Sequence, residues 1–303
     1  MSTPNDAGDG DVSPGEAFAM LGNELRVDIL RALAQVDEEA GDAERGRSFS
    51  SLYDQVEVSN TSTFAYHLGK LTGTFVRETD DGYRLTYAGL KVVRAIQAGT
   101  YNRRPEFESV ELESLCPVCG ETRFETSHED DVLLLRCVEC ETPLVSYLLA
   151  PGQTADRTSM EVMESCSRYI RDEYSMAVDG VCAECLGKME GRVERVDEPV
   201  EGSYLHVVEC GQCGHRLTTP VELHLSYHPA VIAFYWDHGV DLPETTFWDL
   251  LRYLLSGEWE TEVLATDPYE FRVTMHVDGD HLAVTFDEDL TVTRVEETTA
   301  RTP

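Results

Sequence analysis

Residues 61–71 read TSTFAYHLGKL, and their pattern predicts a helix with two unlike faces. Phe64, Leu68 and Leu71 fall at i, i+4 and i+7, which places them in one apolar stripe. The polar residues fall on the opposite side or near the N-terminal end: Thr61, Ser62, Thr63, Tyr66, His67 and Lys70. Such a helix is typical either of core packing or of a helix that lies in a DNA groove.

Two helices are predicted before this stretch. GEAFAMLGNELRVDILRAL, residues 15–33, has apolar residues at spacings of three and four and predicts one helix. FSSLYDQV, residues 49–56, predicts a short helix with Ser50 as its N-cap. A turn of a few residues then leads into residues 61–71. Two helices joined in this way form a helix-turn-helix.

A hairpin and a further helix are predicted after the stretch. FVRETDDGYRLT, residues 75–86, alternates around an Asp81-Gly82 turn, as a two-stranded hairpin does. Thr86 is then placed to cap the helix YAGLKVVRAIQAG. The order helix, helix, helix, hairpin, helix predicts a winged helix-turn-helix.

These phrases together resemble a known family. LGNELRVDILRAL, FSSLYDQV, FAYHLGKL and LTYAGLKVV look like the ArsR-type winged-helix transcription regulators of halophilic archaea, over roughly residues 15–100. The resemblance implies that helix 60–72 reads the major groove of double-stranded DNA, that a wing at 75–86 contacts the backbone, and that the outer helices form a homodimer. Metal-sensing members carry cysteines in this domain. Residues 1–115 contain none, so metal sensing does not transfer.

Charge is distributed unevenly along the chain. The formal net charge is −33, from 57 Asp plus Glu against 24 Lys plus Arg. The segment from Arg45 to Arg104 nevertheless holds nine cations and five anions, a net of +4. A basic segment in an acidic chain favours nucleic-acid binding. The expected DNA contacts are the polar residues of the helix, for the bases, and Arg77 and Arg84 of the wing, for phosphates.

The amino-acid composition indicates the cellular environment in which the protein folds and works. Only Lys70, Lys91 and Lys188 are lysine, and an acidic, lysine-poor chain with 42% hydrophobic residues predicts a folded protein of a salt-rich cytoplasm. A mesophilic acidic protein is the alternative. The N-terminal residues lack a basic and apolar signal pattern, and apolar runs such as LVSYLLA are too short to span a bilayer. The expected location is cytoplasmic.

Eight of the nine cysteines form two quartets of paired C-x-x-C knuckles. In each quartet, strand-like segments separate the two knuckles, which is the pattern of a zinc ribbon. The first quartet is Cys116, Cys119, Cys137 and Cys140, and the second is Cys182, Cys185, Cys210 and Cys213.

Four thiolates complete a tetrahedral zinc site and leave no open coordination position, which predicts a structural role. Iron–sulfur ligation is a minor alternative, and redox pairs or buried thiols are a further one. Cys166 lies in SMEVMESCSRYIRDEY on a predicted helical face and is interpreted as a buried apolar thiol.

The last third of the chain predicts helices on a small antiparallel sheet. TPVELHLSY, residues 219–227, alternates as a strand, and HPAVIAFYWDHG begins a helix at Pro229. TTFWDLLRYLLSG predicts an amphipathic helix, and alternating segments follow from Trp259. The aromatic residues are expected in the core, with an effector pocket as the alternative: Phe234, Tyr235, Trp236, Trp248 and Trp259.

The predicted fold class is therefore α+β and multidomain: an N-terminal winged helix-turn-helix, two zinc ribbons, and C-terminal helices on a small antiparallel sheet. The expected divisions are a disordered leader at 1–14, a DNA-binding domain at 15–104 and a C-terminal region at 105–303. Within that region we expect a ribbon at 112–150, a helix at 158–175, a ribbon at 178–222 and an α/β part at 223–297.

The sequence favours a DNA-binding transcription regulator with two structural zinc sites. The alternative is a non-enzymatic adaptor that uses the winged helix and the ribbons to dock on protein. Neither a nucleophile motif nor a phosphate loop is found, so an enzyme is not expected. The sequence leaves open whether the C-terminal region binds a small ligand or a protein partner.

Overall fold

The structure is a computed structural model of the 303-residue chain. The residues that it describes are 12–35, 46–116, 118–197, 203–255 and 257–299. The chain divides into two compact units, Met1–Arg104 and Pro105–Pro303. The expected leader lies outside the described residues as far as residue 11. Within the described ranges, no helix is both long enough and apolar enough to cross a membrane.

Five helices and one hairpin form the described part of the first unit. Their bounds are α1 Pro14–Leu21, α2 Glu24–Ala34, α3 Phe49–Asp54, α4 Thr61–Leu71, β1 Val76–Thr79, β2 Gly82–Leu85 and α5 Tyr87–Gln97. One apolar cluster joins these elements, and its fully buried members include Ile29, Leu52, Phe64 and Leu71.

The single helix predicted for residues 15–33 is wrong, because two helices occupy this stretch. The first ends before Gly22, and Asn23 then caps α2 by accepting a hydrogen bond from the Arg26 N–H at 3.3 Å. A side-chain oxygen that binds a nearby N–H competes with helix continuation, which explains the break. The apolar spacing continues across it and therefore conceals it.

The cap of α3 is also corrected. Ser48, and not Ser50, accepts the N–H of Ser51 at 3.2 Å, so the helix begins at Phe49. The cap of α5 is confirmed, because Thr86 Oγ1 accepts the Gly89 N–H at 3.1 Å. That hydroxyl also donates to the Thr74 carbonyl at 2.7 Å, which ties the helix start to the segment before the hairpin.

The hairpin turns one residue earlier than predicted. Thr79 pairs with Gly82, so Asp80 and Asp81 form the two-residue loop. Gly82 has φ +119°, and a Cβ on it would collide with the carbonyl of Arg47. The backbones of Arg47 and Tyr83 exchange hydrogen bonds at 2.8 and 2.9 Å. The hairpin is thereby fixed to the segment that precedes α3.

The described part of the second unit forms three antiparallel sheets. Their strands are β3 Glu111–Glu113, β4 Arg123–Glu129, β5 Val132–Cys137 and β6 Pro143–Leu148; β7 Met189–Val196, β8 Ser203–Cys210 and β9 Arg216–Pro220; and β10 Trp259–Thr266, β11 Tyr269–Val277, β12 Asp280–Asp287 and β13 Val292–Thr298. Each sheet follows chain order, β3-β4-β5-β6, β7-β8-β9 and β10-β11-β12-β13.

Along the chain, the described helices of the second unit lie between these sheets. They are α6 Pro151–Thr154, α7 Ser159–Val178, α8 Pro229–Asp237 and α9 Phe247–Leu255, with 3₁₀ helices at Val221–Tyr227 and Leu242–Glu244. The largest apolar cluster joins residues of α7, α8 and α9 to the sheet β10–β13, with Tyr235, Leu250, Phe271 and Phe286 fully buried. Of the five aromatic residues expected in the core, Trp236 is the exception and is 63% exposed.

The strand predicted for residues 219–227 is wrong beyond Pro220. Val221–Tyr227 forms a 3₁₀ helix in which His224 Nδ1 lies 2.6 Å from the Val221 carbonyl. Ser226 Oγ donates to the Leu223 carbonyl at 2.7 Å. These bonds three residues back satisfy the backbone locally. Alternate apolar residues are buried, as they would be in a strand, so the pattern alone was misleading.

Candidate metal centres and nucleic-acid interface

The first cysteine quartet converges at one end of the sheet β3–β6. Cys116 and Cys119 lie between β3 and β4, while Cys137 ends β5 and Cys140 follows it. The Sγ atoms of Cys116 and Cys140 are 3.4 Å apart, and those of Cys119 and Cys137 are 3.6 Å apart. All four sulfurs lie within 4.8 Å of one another.

The second quartet has the same arrangement at the sheet β7–β9. Cys182 and Cys185 precede β7, Cys210 ends β8, and Cys213 lies before β9. The Sγ atoms of Cys182 and Cys213 are 3.7 Å apart, and those of Cys185 and Cys210 are 3.5 Å apart. These four sulfurs also lie within 4.8 Å of one another.

All four knuckles share one backbone conformation. The N–H of the residue after the second cysteine donates to the carbonyl of the first cysteine at 2.9–3.0 Å. The N–H of the first cysteine donates to the carbonyl five residues later at 2.8–3.0 Å. The residues after the second cysteine all have positive φ: Gly120 (76°), Glu141 (58°), Leu186 (62°) and Gly214 (74°). The first cysteine of each knuckle is buried, whereas the second is exposed or half-buried.

Hydrogen bonds lower the pKa of two of these cysteine thiols, one in each quartet. The hydroxyl and amide of Thr142 lower the pKa of Cys140 to about 6. The amides of Cys213 and Gln212 lower the pKa of Cys210 to about 6. Metal ligation requires the deprotonated thiol, which these two shifts favour. The neighbouring sulfurs are shifted the other way, with the pKa of Cys119 and of Cys213 raised to about 12, so metal binding must displace protons from each quartet.

The two quartets fit two structural zinc sites. Tetrahedral ligation with Zn–S bonds of ~2.3 Å puts sulfurs roughly 3.8 Å apart, close to the separations here. Four cysteines fill the coordination shell, so neither site offers a position for substrate. Cys166 is buried on α7, as the sequence predicts, and is not one of the clustered ligands. It shares an apolar cluster with Cys116 and Cys137, and its sulfur lies 3.2 Å from Gln153 Nε2.

Sequence reasoning overlooked the groups that support the cysteines. Thr142 follows Cys140 by two residues, and its hydroxyl lies 3.1 Å from the sulfur. His215 follows Cys213 by two residues, and its Nε2 lies 2.9 Å from an oxygen of the buried Glu173 on α7. A polar residue two positions after a knuckle is the signal that could have found both.

On α4 the apolar stripe is buried as predicted, with Phe64, Leu68 and Leu71 at most 2% exposed. Asn60 is the N-cap and accepts the Thr63 N–H at 2.8 Å. The candidate residues lie on the outward side, where Thr61, Ser62, Tyr66 and Lys70 are exposed and Thr63 and His67 are half-buried. The ring of Tyr66 lies 5.7 Å from Lys70 Nζ and 5.2 Å from the ring of His67. Three of the candidate side chains therefore form one surface cluster.

The two arginines predicted to contact phosphates differ in their surroundings. Arg77 on β1 is exposed, and Arg84 faces it across the hairpin as its pairing partner. The side chain of Arg84 is 25% exposed and lies 3.5 Å from Asp81. Arg77 is thus the more available cation. Sequence reasoning did not single out Arg47, which pairs with Tyr83 beside the turn of the hairpin and donates to Gln55 Oε1 at 3.1 Å.

Comparisons with known proteins place this architecture in a family. Residues 113–292, which include both quartets, match the family described as Domain of unknown function (DUF7351), and the chain belongs to it. Residues 14–96 match a second family, Domain of unknown function (DUF7347). No curated protein and no solved structure matches the chain.

Proposed function

We propose that the chain is a DNA-binding transcription regulator in which residues 14–97 act as a winged helix-turn-helix. The observation that carries this proposal is the division of α4 into a buried stripe and an outward face of hydroxyls, Tyr66, His67 and Lys70. Hydroxyl, imidazole and ammonium groups can all bond base edges in a major groove. Zinc in the two quartets has a structural role in this proposal.

The hairpin supports a wing that contacts phosphates. Arg77 is exposed on β1, and the hairpin is fixed by the backbone exchange between Arg47 and Tyr83. A rigid hairpin holds its cation at a constant distance from α4. Phosphate contacts of this kind set the register of a protein on the duplex, while the helix reads the bases.

The exposed aromatic side chains of the first unit support a homodimer. Helix α1 has no buried residue, and its Phe18 is 70% exposed. Tyr87 at the start of α5 is 66% exposed. Large apolar side chains on two outer helices favour association with a second copy. We place the dimer interface on α1 and α5.

We further propose that the protein works at high salt, where counterion release contributes little to DNA affinity. The net charge of −33 would repel DNA at low ionic strength, and molar salt screens that repulsion within a few ångströms. Base-edge hydrogen bonds and shape then contribute more of the affinity. A helix with few charged residues, such as α4, is suited to contacting DNA bases at high salt.

The test is selection of duplex DNA from a random library by the zinc-loaded protein in molar KCl. Wild type is compared with His67→Ala/Lys70→Ala. We expect wild type to enrich a two-fold symmetric motif and the variant to lose or broaden it. The matched control is His276→Ala/Lys188→Ala, which removes the same residue types from exposed positions of the second unit. It should select as wild type does.

A non-enzymatic adaptor is the second candidate, favoured by Tyr66, which is 61% exposed at the centre of the α4 face. Exposed tyrosines often anchor protein interfaces. Absence of enrichment at every salt concentration, by protein that is folded and zinc-loaded, would reject DNA reading. It would make the α4 face a docking surface for protein.

A further inference from the structure

Two histidines and a glutamate lie on three neighbouring strands of the sheet β10–β13. Glu260 is on β10, His276 on β11 and His281 on β12. His276 and His281 are paired residues in the register of β11 and β12. Glu260 pairs with Thr274, which precedes His276 by two residues and therefore shares its face of the sheet. All three side chains lie on one face.

This face is not the one that packs on the helices. The residues next to the two histidines along their strands, Met275 and Leu282, belong to the largest apolar cluster and point to the opposite side. The side chain of His276 is 47% exposed and that of Glu260 is 70% exposed. His281 is half-buried. An ion in solution can therefore reach the group.

The backbone brings the two imidazoles close together. The His276 N–H donates to the carbonyl of Glu258, next to β10, at 3.1 Å. His276 and His281 therefore form a non-hydrogen-bonded pair, in which the Cα atoms of an antiparallel ladder are only ~4.5 Å apart. Asp278 and Gly279 form the turn between the two strands, with φ of 51° and 91°. Two positive φ values are typical of a type I′ turn, which fixes the register of the pair.

The separations of these side chains match those around one metal ion. The ring centroids of His276 and His281 are 5.9 Å apart, and His276 Nε2 lies 3.6 Å from Glu260 Oε2. Ligand bonds of ~2.1 Å put two tetrahedral ligand atoms roughly 3.4 Å apart and two ring centroids about 5–6 Å apart. Among the described residues, only the cysteine quartets bring three ligand atoms within 4.8 Å of one another. A side-chain rotation therefore has to complete this set, and the exposed Glu260 can make it.

The ligand types indicate which ion fits. Imidazole nitrogen suits zinc, copper and nickel, whereas magnesium and calcium prefer oxygen ligands. Two histidines, one carboxylate and a water molecule are a known set of zinc ligands. Zinc is also the ion that both cysteine quartets fit.

We propose that Glu260, His276 and His281 bind a third zinc ion, with water in the remaining coordination position. This ion is held less tightly than the other two, because two imidazoles and one carboxylate on an exposed face replace four thiolates. Dialysis at low free zinc therefore leaves only the zinc of the quartets. The inference does not depend on DNA binding, because the test counts zinc alone.

The experiment is equilibrium dialysis of the full chain against buffered zinc, with zinc per chain measured by metal analysis. Excess magnesium is present throughout, because it occupies carboxylate sites of the acidic chain and does not compete for imidazole. We expect two ions per chain at nanomolar free zinc, from the two quartets, and a saturable increase to three at micromolar free zinc. Nickel chloride added to the protein with two zinc ions should broaden the ring resonances of His276 and His281 before those of the other histidines.

Two substitutions test the ligands, and a third is their control. His276→Ala should weaken the third zinc more than tenfold, because loss of even a supporting partner of a ligand costs about 10–100-fold. Glu260→Gln should weaken it less, about threefold to tenfold, since an amide oxygen remains as a poorer ligand. Glu262→Gln removes an exposed carboxylate from the same face of β10, where it pairs with Arg272, and should change nothing.

Three results would overturn the proposal. They are no saturable third ion at micromolar free zinc, a third ion that His276→Ala leaves in place, and a third ion that Glu262→Gln weakens as much as Glu260→Gln does. Because both His276 and Glu260 are exposed, these variants should keep the fold and the zinc of the quartets. His276→Ala should also select DNA as wild type does, so failure of one proposal does not affect the other.

Discussion

The two cysteine centres have the same knuckles but different surroundings. Cys116 and Cys137 of the first centre belong to an apolar cluster with Leu135, Val162 and Trp248, which reaches α7 and α9. Cys182 and Cys210 of the second centre belong to a smaller cluster with Ala177, Met189 and Val208.

The difference shows that one set of residues determines metal coordination and another set attaches each centre to the rest of the fold. Coordination depends on a few residues around each C-x-x-C pair, because the same backbone bonds recur in all four knuckles. The link to the rest of the fold depends on the core behind each sheet. The second centre has polar side chains in the corresponding place, where His215 Nε2 lies 2.9 Å from the carboxylate of Glu173 on α7. Loss of metal should therefore have unequal consequences at the two centres.

The largest effect is expected from removal of a buried ligand. Cys116→Ser and Cys182→Ser should each lower the zinc content by one ion per chain, with loss of metal-binding free energy on the order of 10 kcal/mol. Cys116→Ser should also disturb the environment of Trp248, whereas Cys182→Ser should not, because Trp248 belongs to the cluster of the first centre. Metal analysis and tryptophan fluorescence measure the two outcomes.

Cys166→Ser is the control for this comparison, because Cys166 is a buried thiol that is not a ligand. It should keep both zinc ions and cost about 1 kcal/mol, because the serine hydroxyl can still accept from Gln153 Nε2 but fills less of the apolar cluster than the thiol does. A fluorescence change of equal size in Cys116→Ser and Cys182→Ser would show that the two centres are not independently coupled to the core. Survival of the fold after complete chelation would refute structural zinc.

Acid should destabilise the second centre through His206. This residue lies on β8 and is 6% exposed, and burial lowers its pKa to about 4. Between pH 4 and 6.5 the His206 ring is therefore neutral in the folded chain and protonated in the unfolded chain. His206 leaves the free energy of unfolding unchanged above pH 6.5, and it lowers that free energy by about 2–3 kcal/mol as the pH falls to 4.

The measurement is the free energy of unfolding against pH for wild type, His206→Leu and His128→Leu. His128 is a half-buried histidine on β4 of the first centre and serves as the matched position. His206→Leu should flatten the acid limb between pH 6.5 and 4, and His128→Leu shows how much the replacement of a histidine by leucine changes the stability by itself. Equal slopes in all three proteins would exclude His206 as the source.

Much of this architecture is readable from the sequence where the determining contacts are local. Both quartets are confirmed as clusters, because a two-residue gap between cysteines is set by the geometry of one turn. Helix α4 lies within one residue of its predicted bounds at each end, since its apolar stripe and its cap lie within the helix itself.

The predictions of secondary structure fail where the same residues fit two different structures. The spacing of three and four continues through Gly22 and Asn23, although Asn23 caps a new helix there. Alternation in Val221–Tyr227 fits a strand, but side chains bond carbonyls three residues back. Neither Glu141 nor Leu186 signals a positive φ by its residue type.

Alanine at the knuckle glycines is expected to have a moderate effect. Gly120 and Gly214 have φ near +75°, which an L side chain rarely adopts, and a Cβ would meet nothing within 4 Å at either position. Gly120→Ala and Gly214→Ala should therefore destabilise their centres through backbone strain alone, by about 1 kcal/mol each. Chemical denaturation of the zinc-loaded protein measures this cost. A near-zero change in both would show that metal ligation overrides the backbone preference.

The smallest expected effect on the free energy of unfolding is an increase, whereas the other substitutions lower it. Leu186 has φ +62° in the second centre, and its side chain is 63% exposed, so little packing is lost on truncation. Leu186→Gly relieves about 1–2 kcal/mol of strain and loses part of that gain to the greater freedom of glycine in the unfolded chain. We expect a net stabilisation of about 0.5–1 kcal/mol, measured as a higher denaturant concentration at the unfolding midpoint, at constant zinc content.

Glu141→Gly is the matched change in the first centre, where φ is +58°. Stabilisation by both changes would show that each centre tolerates one strained knuckle because the metal holds it closed. Destabilisation by Leu186→Gly would instead show that packing of the leucine side chain and the greater freedom of glycine in the unfolded chain outweigh the strain.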